Sequence, residues 1–418
     1  MKIVGLNIVV IGIGYVGTSV GISLSEMNNV FFIDINKLKV DKINSYVSPI
    51  KDELISQKLQ EAKISKCKLN FKAFLADDDN QTTVDNIFKK ADIAIIALPT
   101  NFIESKRCFD TLDVECAARR ILLNNDRCII LIKSTIPIGF ISTLRERLNC
   151  KRLIYSPEFL RENFAFYDTL NPSRIIIGVD KTRSEEIYIA EFLGEMFKRC
   201  TNNYDIPILI MGIEEAEAVK LFSNAYLAMR VAYFNEIDMY AECNGLSTRE
   251  IIEGMGFDER IGCYYNNPSF GFGGYCLPKD SKQLLSSFNK LPQKIIGAII
   301  ESNEHRKRFI ADRVMAAAIE KGFTQESVIG IFRLSMKNNS DNYRNSSIID
   351  VLKYLKKEKF KMVIYEPNID RKWFMGIAVI KSLQEFKDMS SIILTNRYSK
   401  LLDDVGTKVY TRDIFNDG

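Results

Sequence analysis

The sequence predicts an α/β protein in which two doubly wound domains are joined by a long central helix. Apolar runs of strand length alternate with helical stretches between residues 7 and 179, and again between residues 327 and 410. Between these regions, the stretch that follows Ile213 runs without proline for about thirty residues, which is typical of one long helix. A chain of 418 residues exceeds what one hydrophobic core usually supports. We therefore expect three domains, over residues 1–205, 206–310 and 311–418.

The first element is a buried strand that is followed by a glycine-rich turn and a helix. Residues 7–11 read NIVVI, and Gly12, Gly14 and Gly17 follow with the spacing G-x-G-x-x-G. In this context Gly12 allows a tight turn, Gly14 lets backbone approach a pyrophosphate, and Gly17 allows close packing of the helix. The pattern predicts a Rossmann unit that binds a dinucleotide at the helix N-terminus.

The second strand indicates which dinucleotide is bound. It reads VFFID and ends at Asp34. A carboxylate at this place accepts hydrogen bonds from ribose hydroxyls and repels a 2′-phosphate, so NAD is favoured over NADP. The alternative is a glycine-rich turn that binds nothing, and the glycine spacing alone would not exclude it. The strand context together with Asp34 makes this alternative the weaker interpretation.

Later strands of the first domain end in polar residues. Four such strands are expected, over residues 91–101, 128–139, 151–163 and 173–179. Ligands of a parallel sheet lie beyond the carboxyl ends of its strands, so Thr100, Thr135 and the segment from Glu158 to Glu162 should face the cofactor cleft. A local role in ending the strands is the alternative for each of these residues.

The central helix carries two polar side chains on one face. Lys220 and Asn224 are four residues apart and therefore lie one turn from each other. Spacing alone favours a solvated lysine over a functional one. Gly245 should end the helix as a C-cap, and the helix should form the surface of a homodimer.

Composition excludes several classes of function. A net charge of +4 is too small to indicate nucleic acid binding, and no apolar run reaches the roughly 18 residues of a membrane span. The nine cysteines form no CxxC pair and the chain has one histidine, His305, so a metal site is not expected. Reduced thiols favour a cytoplasmic protein. Because His305 should be solvated, a base would be a lysine, a carboxylate or a bound water.

Cys276 has the setting of a reactive cysteine. It follows the glycine-rich run FGFGG and precedes Lys279 and Asp280. A nearby cation stabilises the thiolate, which is the nucleophilic form, and a carboxylate can hold or deprotonate a water. A buried cysteine that acts only as a small apolar residue is the alternative, which the polar, glycine-rich surroundings disfavour.

Taken together, the motifs resemble one enzyme family nearly from end to end. They read GIGYVG, STIPIG, SPEFLRE, EAEAVKLFSNAYLAMRVAYFNE, NNPSFGFGGYCLPKD and MKNNSDNYRNS. The chain thereby resembles the UDP-glucose/GDP-mannose dehydrogenase family, and in it the short bacterial UDP-glucose 6-dehydrogenases. Asn163 departs from the resemblance, because relatives commonly have a small residue there.

The resemblance implies a four-electron oxidation of UDP-glucose to UDP-glucuronate by two NAD and water, for capsule or exopolysaccharide synthesis. It makes residues 1–205 the NAD-binding domain, residues 206–310 the central helical domain with the cysteine loop, and residues 311–418 the UDP-sugar-binding domain. Cys276 would capture the aldehyde as a thiohemiacetal, the second oxidation would give a thioester, and Glu162 would be the base of its hydrolysis.

Further roles are implied for residues that surround this chemistry. Lys220 and Asn224 would stabilise the oxyanion, and Asp280 and Thr135 would hold the catalytic water. The implied cofactor-binding residues are Gly12, Gly14, Tyr15, Val16, Gly17, Asp34, Lys39, Thr100, Thr135, Glu162, Lys279 and Arg344. The implied substrate-binding residues are Glu158, Phe159, Leu160, Arg161, Glu162, Lys220, Asn224, Arg260, Tyr265, Asn266, Asn267, Pro268, Ser269, Gly273 and Lys337. The family makes Arg260 a contribution from a neighbouring subunit.

Two other functions are compatible with parts of the pattern. One is a dehydrogenase of another nucleotide sugar, such as UDP-N-acetylmannosamine, although such relatives tend to lack the ending CLPKD. The other is a non-catalytic NAD sensor or scaffold, in which the long helix supplies a dimer surface and Cys276 only packs. The sensor leaves the clustering of Lys220, Asn224, Cys276 and Asp280 unexplained.

Overall fold

A computed structural model describes residues 2–324, 326–334, 346–358 and 360–416 of the protein. The chain forms two compact units, Met1–Phe222 and Ser223–Gly418. Two of the candidate site residues, Lys337 and Arg344, lie outside the described residues.

The first unit is built on an eight-stranded sheet. Its strands, with a separate two-stranded hairpin, are β1 (Asn7–Ile11), β2 (Asn29–Asp34), β3 (Phe71–Leu75), β4 (Ile93–Ile96), β5 (Phe102–Ile103), β6 (Cys108–Phe109), β7 (Ile129–Ile132), β8 (Leu153–Tyr155), β9 (Ile175–Gly178) and β10 (Ile208–Met211). The sheet order is β10-β9-β8-β7-β4-β1-β2-β3, and β5 pairs with β6. The order reverses between β1 and β4, so the ligand crevice of this sheet lies beyond the carboxyl ends of these two strands.

One strand pair departs from the parallel sheet that the sequence predicts. β9 runs antiparallel to β8 where Tyr155 faces Gly178, whereas β10 is parallel to β9. The last two strands therefore run opposite to the other six. After β8 the chain passes through a short helix that packs against the first helix of the unit, so it enters β9 from the opposite end of the sheet.

Helices cover both faces of the sheet. They are α1 (Tyr15–Leu24), α2 (Lys37–Asn44), α3 (Glu53–Lys63), α4 (Gln81–Lys89), α5 (Leu112–Asn124), α6 (Phe140–Leu148), α7 (Ala165–Leu170) and α8 (Ser184–Lys198). Successive residues of β1 belong to different cores, because Ile8 and Val10 pack on one face while Val9 and Ile11 pack on the other. Burial on both faces explains why the strands are continuous apolar runs rather than alternating ones.

The helix α9 (Ile213–Cys243) begins in the first unit and ends in the second. Gly245 follows it with a φ of +66°, and the amide of Leu246 donates to the carbonyl of Ala241. The predicted glycine C-cap is confirmed by this geometry.

The second unit holds a smaller, six-stranded sheet. Its strands are β11 (Val328–Phe332), β12 (Lys361–Tyr365), β13 (Trp373–Phe374), β14 (Ile377–Ile380), β15 (Ile392–Leu394) and β16 (Val409–Tyr410), in the order β13-β14-β12-β11-β15-β16. Its further helices are α10 (Thr248–Gly256), α11 (Cys276–Phe288), α12 (Ile295–Glu320), α13 (Ser347–Leu355) and α14 (Leu383–Met389). The predicted fold class, two doubly wound α/β domains joined by a long central helix, is confirmed. None of the helices in the described ranges is long and apolar enough to cross a membrane.

Candidate active site

The glycine turn between β1 and α1 has the shape of a dinucleotide cradle. Gly12 has a φ of +101°, and a Cβ at this position would lie 2.5 Å from the carbonyl oxygen of Ala97. A Cβ at Gly17 would lie 1.9 Å from the carbonyl oxygen of Gly12. At Gly14, by contrast, a Cβ would meet nothing within 4 Å, so the space in front of the α1 N-terminus is open. A pyrophosphate fits there, where backbone N–H groups and the positive end of the helix dipole face it.

Asp34 fixes the other side of this cradle. One carboxylate oxygen accepts from the amide of Ile13 (2.6 Å) and the other from the amide of Asn36 (2.8 Å). The acidic group is thereby fastened to the glycine turn at the end of β2, where it can accept from ribose hydroxyls. Tyr15 and Val16 lie in the first turn of α1, and Lys39 lies in the first turn of α2.

Two loops meet at the carboxyl edge of the sheet. The Thr100 hydroxyl, which follows β4, donates to the carbonyl oxygen of Thr135, which follows β7 (2.6 Å). The amide of Leu98 also donates to the Ser134 hydroxyl (2.9 Å). Thr100 is buried and Thr135 is half-buried. The structure therefore brings together the two threonines that the sequence places after separate strands.

Glu158 is held by two buried lysines. Lys133 Nζ donates to its carboxylate (2.8 Å), and Lys220 Nζ donates to its carbonyl oxygen (2.6 Å). The next side chain, Phe159, has Lys220 Nζ 5.1 Å and the Arg174 guanidinium 4.1 Å from its ring centroid. Burial lowers the pKa of Arg174 below its ordinary value. This part of the candidate substrate site thus carries more cations than carboxylates, which suits a ligand with a diphosphate.

Sequence reasoning missed Lys133 and Arg174. Each directly adjoins a buried strand, Lys133 after β7 and Arg174 before β9, and a charged residue in that place was the available signal. Their contacts to Glu158 and Phe159 cross long sequence separations, so no local motif reveals them.

Arg161 and Glu162 lie on the turn that follows Glu158. The backbone amide and the guanidinium of Arg161 both donate to Asp168 (2.7 Å each), and the guanidinium lies over the ring of Phe164. Glu162 begins a short 3₁₀ turn. Leu160 is half-buried between them and Phe159. The local ion pair fixes the turn, while the roles of these residues toward a ligand stay predictions.

Cys276 is the first residue of α11, a helix start that the sequence motif does not reveal. Pro278 lies in the first turn, where the helix tolerates a residue without an N–H. The sulfur is half-buried at the N-terminus, and the positive end of the helix dipole stabilises a thiolate there. Asp280 follows four residues later and lies on the same face.

Asp280 is the centre of a buried polar network. It is fully buried and accepts from Asn224 Nδ2 (2.5 Å) and from Lys279 Nζ (2.7 Å). Lys279 Nζ also lies 5.0 Å from the ring centroid of Tyr275. Asn224 of α9 is thus brought together with Lys279 and Asp280 in the first turns of α11, the helix that begins at Cys276.

The loop before Cys276 is held through its backbone. Three buried asparagine side chains accept from three loop amides: Asn235 from Ser269 (2.9 Å), Asn396 from Phe270 (2.8 Å) and Asn303 from Phe272 (2.8 Å). Arg306 donates to the carbonyl of Ser269 (2.8 Å) and pairs with Asp238. Although burial opposes it, Arg412 and Arg306 together hold the pKa of Asp238 below its ordinary value. These hydrogen bonds fix the backbone conformation of an irregular loop.

Other candidate residues of this loop have structural partners. Asn267 donates to Asp413 (2.6 Å), and the carbonyl of Pro268 accepts from Arg397. Tyr265 has a φ of +55°, and Asn266 and Gly273 are half-buried. Arg260 is exposed and pairs with Asp258 (2.6 Å), so the structure does not bring it to the network at Asp280 within this unit. His305 is exposed on α12, as expected.

Three family models match the chain in succession. They describe the NAD binding domain (residues 6–200), the central domain (residues 214–305) and the UDP binding domain (residues 330–415) of the UDP-glucose/GDP-mannose dehydrogenase family. The chain is 46% identical over 410 residues to a UDP-glucose 6-dehydrogenase of Streptococcus pneumoniae, covering 98% of this chain and 99% of that protein. It is 42% identical over 414 residues to a UDP-glucose 6-dehydrogenase of Campylobacter jejuni, with 98% and 99% covered.

Solved structures share the fold. A UDP-glucose dehydrogenase from Pyrobaculum islandicum superposes with a TM-score of 0.84 at 24% identity and covers 99% of this chain and 95% of its own. A UDP-D-ManNAc dehydrogenase from Pyrococcus horikoshii superposes with a TM-score of 0.78 at 22% identity and covers 98% and 99%. At such identities the likeness concerns the fold alone.

Proposed function

The chain belongs to the UDP-glucose/GDP-mannose dehydrogenase family, and from this we propose that it oxidises UDP-glucose to UDP-glucuronate for capsule or exopolysaccharide synthesis in the cytoplasm. It is an NAD-dependent oxidoreductase, and its first domain binds NAD. The observation that carries the substrate proposal is the near full-length identity of 46% to a relative of that name. The placement of Cys276 at the start of α11, one turn from Asp280, supports the chemistry.

In the proposed reaction the protein supplies one nucleophilic sulfur and the groups that transfer several protons. The glycine turn and Asp34 would hold NAD, which would supply the acceptor for the hydride that leaves C6 of the sugar in each of the two oxidations. The Cys276 thiolate adds to the aldehyde carbon of the first product, and the aldehyde oxygen takes a proton to complete a thiohemiacetal. Loss of the second hydride and of the hydroxyl proton leaves a thioester. Water then adds to the carbonyl, the sulfur leaves as thiolate, and the carboxylate is formed.

Side chains of the two units are assigned to these steps by the resemblance. Lys220 and Asn224, which lie one turn apart on α9, would donate to the oxygen that becomes negative. Asp280 and Thr135 would hold the water, and Glu162 would take its proton. Because Asp280 already accepts from Asn224, the water-holding and oxyanion groups of the second unit form one network.

The stoichiometry of NADH is expected to be two for each UDP-glucuronate formed. This value follows from two hydride transfers to one carbon with Cys276 between them. It is measured by absorbance of NADH together with chromatography of the nucleotide sugars. A ratio of one would remove the thioester from the mechanism, and a clear rate preference for UDP-N-acetylmannosamine over UDP-glucose would overturn the substrate.

We further propose a homodimer formed through α9. Four large side chains on this helix, Phe222, Tyr226, Tyr233 and Tyr240, are exposed, and the tyrosines recur every seven residues. We call them the aromatic stripe. Side chains at this spacing share one helix face, and a row of exposed aromatic residues is typical of a protein interface.

Replacing two residues of the aromatic stripe with lysine, Tyr233→Lys with Tyr240→Lys, is expected to convert a dimer into a monomer. Like charges on a self-complementary surface face each other and repel. Sedimentation velocity measures the change. Tyr188→Lys is the matched control, since Tyr188 is an exposed tyrosine of α8 outside the stripe, and it should leave the dimer intact. A double variant that still sediments as a dimer would show that another surface forms the interface.

A further inference from the structure

Glu217 is a fully buried carboxylate that caps a helix other than its own. It lies on α9, almost one turn before Lys220. Its oxygens accept from the backbone amides of Gly139 (2.5 Å) and Ile141 (2.9 Å). These amides belong to the N-terminus of α6, where N–H groups have no partner within the helix.

The segment that Glu217 caps is continuous in sequence with Thr135 of the candidate site. Residues 135–139 connect Thr135 to α6, and Thr135 is tied to Thr100 across the sheet edge. From the same helix as Glu217, Lys220 holds the carbonyl of Glu158. α9 therefore fastens the loop after β7 through Glu217 and the segment after β8 through Lys220.

We propose that Glu217, as an anion, is a positioning residue that holds the Thr135 loop in place for the oxidation reaction. The inference rests on the proposed function of this site. Both carboxylate oxygens face N–H donors, so an ionised group makes both hydrogen bonds. The amide of glutamine would present a donor to one of the two N–H groups and lose that bond, and a protonated carboxyl would present a hydroxyl oxygen, which is a weaker acceptor than a carboxylate oxygen.

The ionisation of Glu217 falls near neutral pH. Burial raises its pKa to about 7, although the amides of Ile141 and Gly139 lower it, and the charge of Glu214 adds to the rise. Within the described part of the chain, α6 faces it with backbone amides, the neighbouring core is apolar, and Glu214 is the charged group that shifts it. As the pH falls through about 7, one hydrogen bond to the loop is expected to weaken.

The ionised form of Glu217, which is the form proposed to act, lowers the free energy of unfolding. Because its folded pKa lies above the ordinary value of 4.5, the folded state binds a proton between these pH values that the unfolded chain has released. The contribution of the group to stability is therefore complete below about 4.5 and is lost as the pH rises through about 7. A glutamine has no such loss, which offsets the hydrogen bond that Glu217→Gln removes, so the unfolding temperature at pH 8 should change little. A purely structural role predicts that it falls.

The test compares wild type, Glu217→Gln, Glu214→Gln and the exposed control Glu191→Gln over pH 6–9. We expect the wild-type kcat to rise with an inflection near pH 7, and Glu217→Gln to be about tenfold or more slower at pH 8 without it. The KM for UDP-glucose should change less than kcat. Glu214→Gln should move the inflection to lower pH, and Glu191→Gln should behave like wild type.

Hydrogen exchange of the peptide that spans Gly139 and Ile141 gives a second readout that needs no substrate. Exchange of this peptide should be faster in Glu217→Gln than in wild type. In wild type, its protection relative to the intrinsic exchange rate should decrease as the pH falls below about 7. The proposal would be overturned if Glu217→Gln had the same kcat, the same inflection of kcat with pH and the same protection from hydrogen exchange as the wild type. If that variant fails to fold, an unmoved inflection in Glu214→Gln overturns it instead. If the protein does not oxidise UDP-glucose at all, the proposed function fails while the exchange data still decide the role of Glu217.

Discussion

Cys276→Ser is expected to abolish net conversion of UDP-glucose to UDP-glucuronate while both ligands still bind. A serine hydroxyl at the start of α11 remains protonated at neutral pH, so it cannot replace the thiolate that traps the aldehyde. The loss should be roughly a thousandfold or more in kcat, as when other enzymes lose a covalent nucleophile. NADH production and chromatography of the sugars measure it, and calorimetry with UDP-glucose shows that binding remains.

Two comparisons make the cysteine experiment specific. Cys116→Ser changes an exposed thiol of α5 and should leave kcat unchanged. Iodoacetamide should modify Cys276 faster than the other thiols, and UDP-glucose should protect it. Full activity of Cys276→Ser would show that another group is the nucleophile, and slow labelling that substrate does not affect would support a packing role.

Asp280→Asn should lower both the stability and the activity of the protein. Asp280 is fully buried and accepts from Asn224 and Lys279, so an asparagine would leave the buried ammonium of Lys279 without its carboxylate. Breaking a buried ion pair on one side costs about 3–5 kcal/mol of unfolding free energy. In addition, kcat should fall by about a hundredfold or more because the donor Asn224 is no longer oriented. Chemical denaturation and initial rates measure the two effects.

Matched variants separate stability from catalysis at Asp280. Glu253→Gln removes a carboxylate from a half-exposed ion pair of the same unit and should change the unfolding free energy by less than about 1 kcal/mol. Asp280→Asn combined with Lys279→Met removes both charges, so stability should largely return while activity does not. An Asp280→Asn protein as stable and active as wild type would contradict the network as described.

Much of the fold could be predicted because its central strands are buried on both faces. The runs that became β1, β4 and β7 are apolar at successive positions, and the bounds of α9 follow from a proline-free stretch that ends before a glycine. The strand β3 lies at one edge of the sheet, is partly exposed and contains a lysine, so its sequence lacks this pattern, whereas β10 at the other edge is apolar throughout although it is partly exposed. The reversed direction of β9 depends on the path of the chain after β8, which local sequence does not encode.

The candidate site was predictable where its reactive residues belong to a continuous sequence motif. Glycine spacing and the motif around Cys276 are local patterns. By contrast, Lys133, Arg174 and Glu217 gain their roles from partners that lie far along the chain, and each of them reads in isolation as a surface charge. Proline and glycine around Cys276 also concealed that a helix begins there.

The three asparagines that hold the loop before Cys276 bear on how this sequence can diverge. They contact amides of the main chain, while the loop side chains Phe270 and Phe272 are themselves buried in the core, so both the loop and the residues that hold it are constrained. The holding positions are constrained by their hydrogen bonds. Asn303 both accepts from the amide of Phe272 and donates to its carbonyl, a pair of contacts that an aspartate cannot make. Substitutions should therefore be rare both at the buried positions of the loop and at the asparagines that hold its main chain.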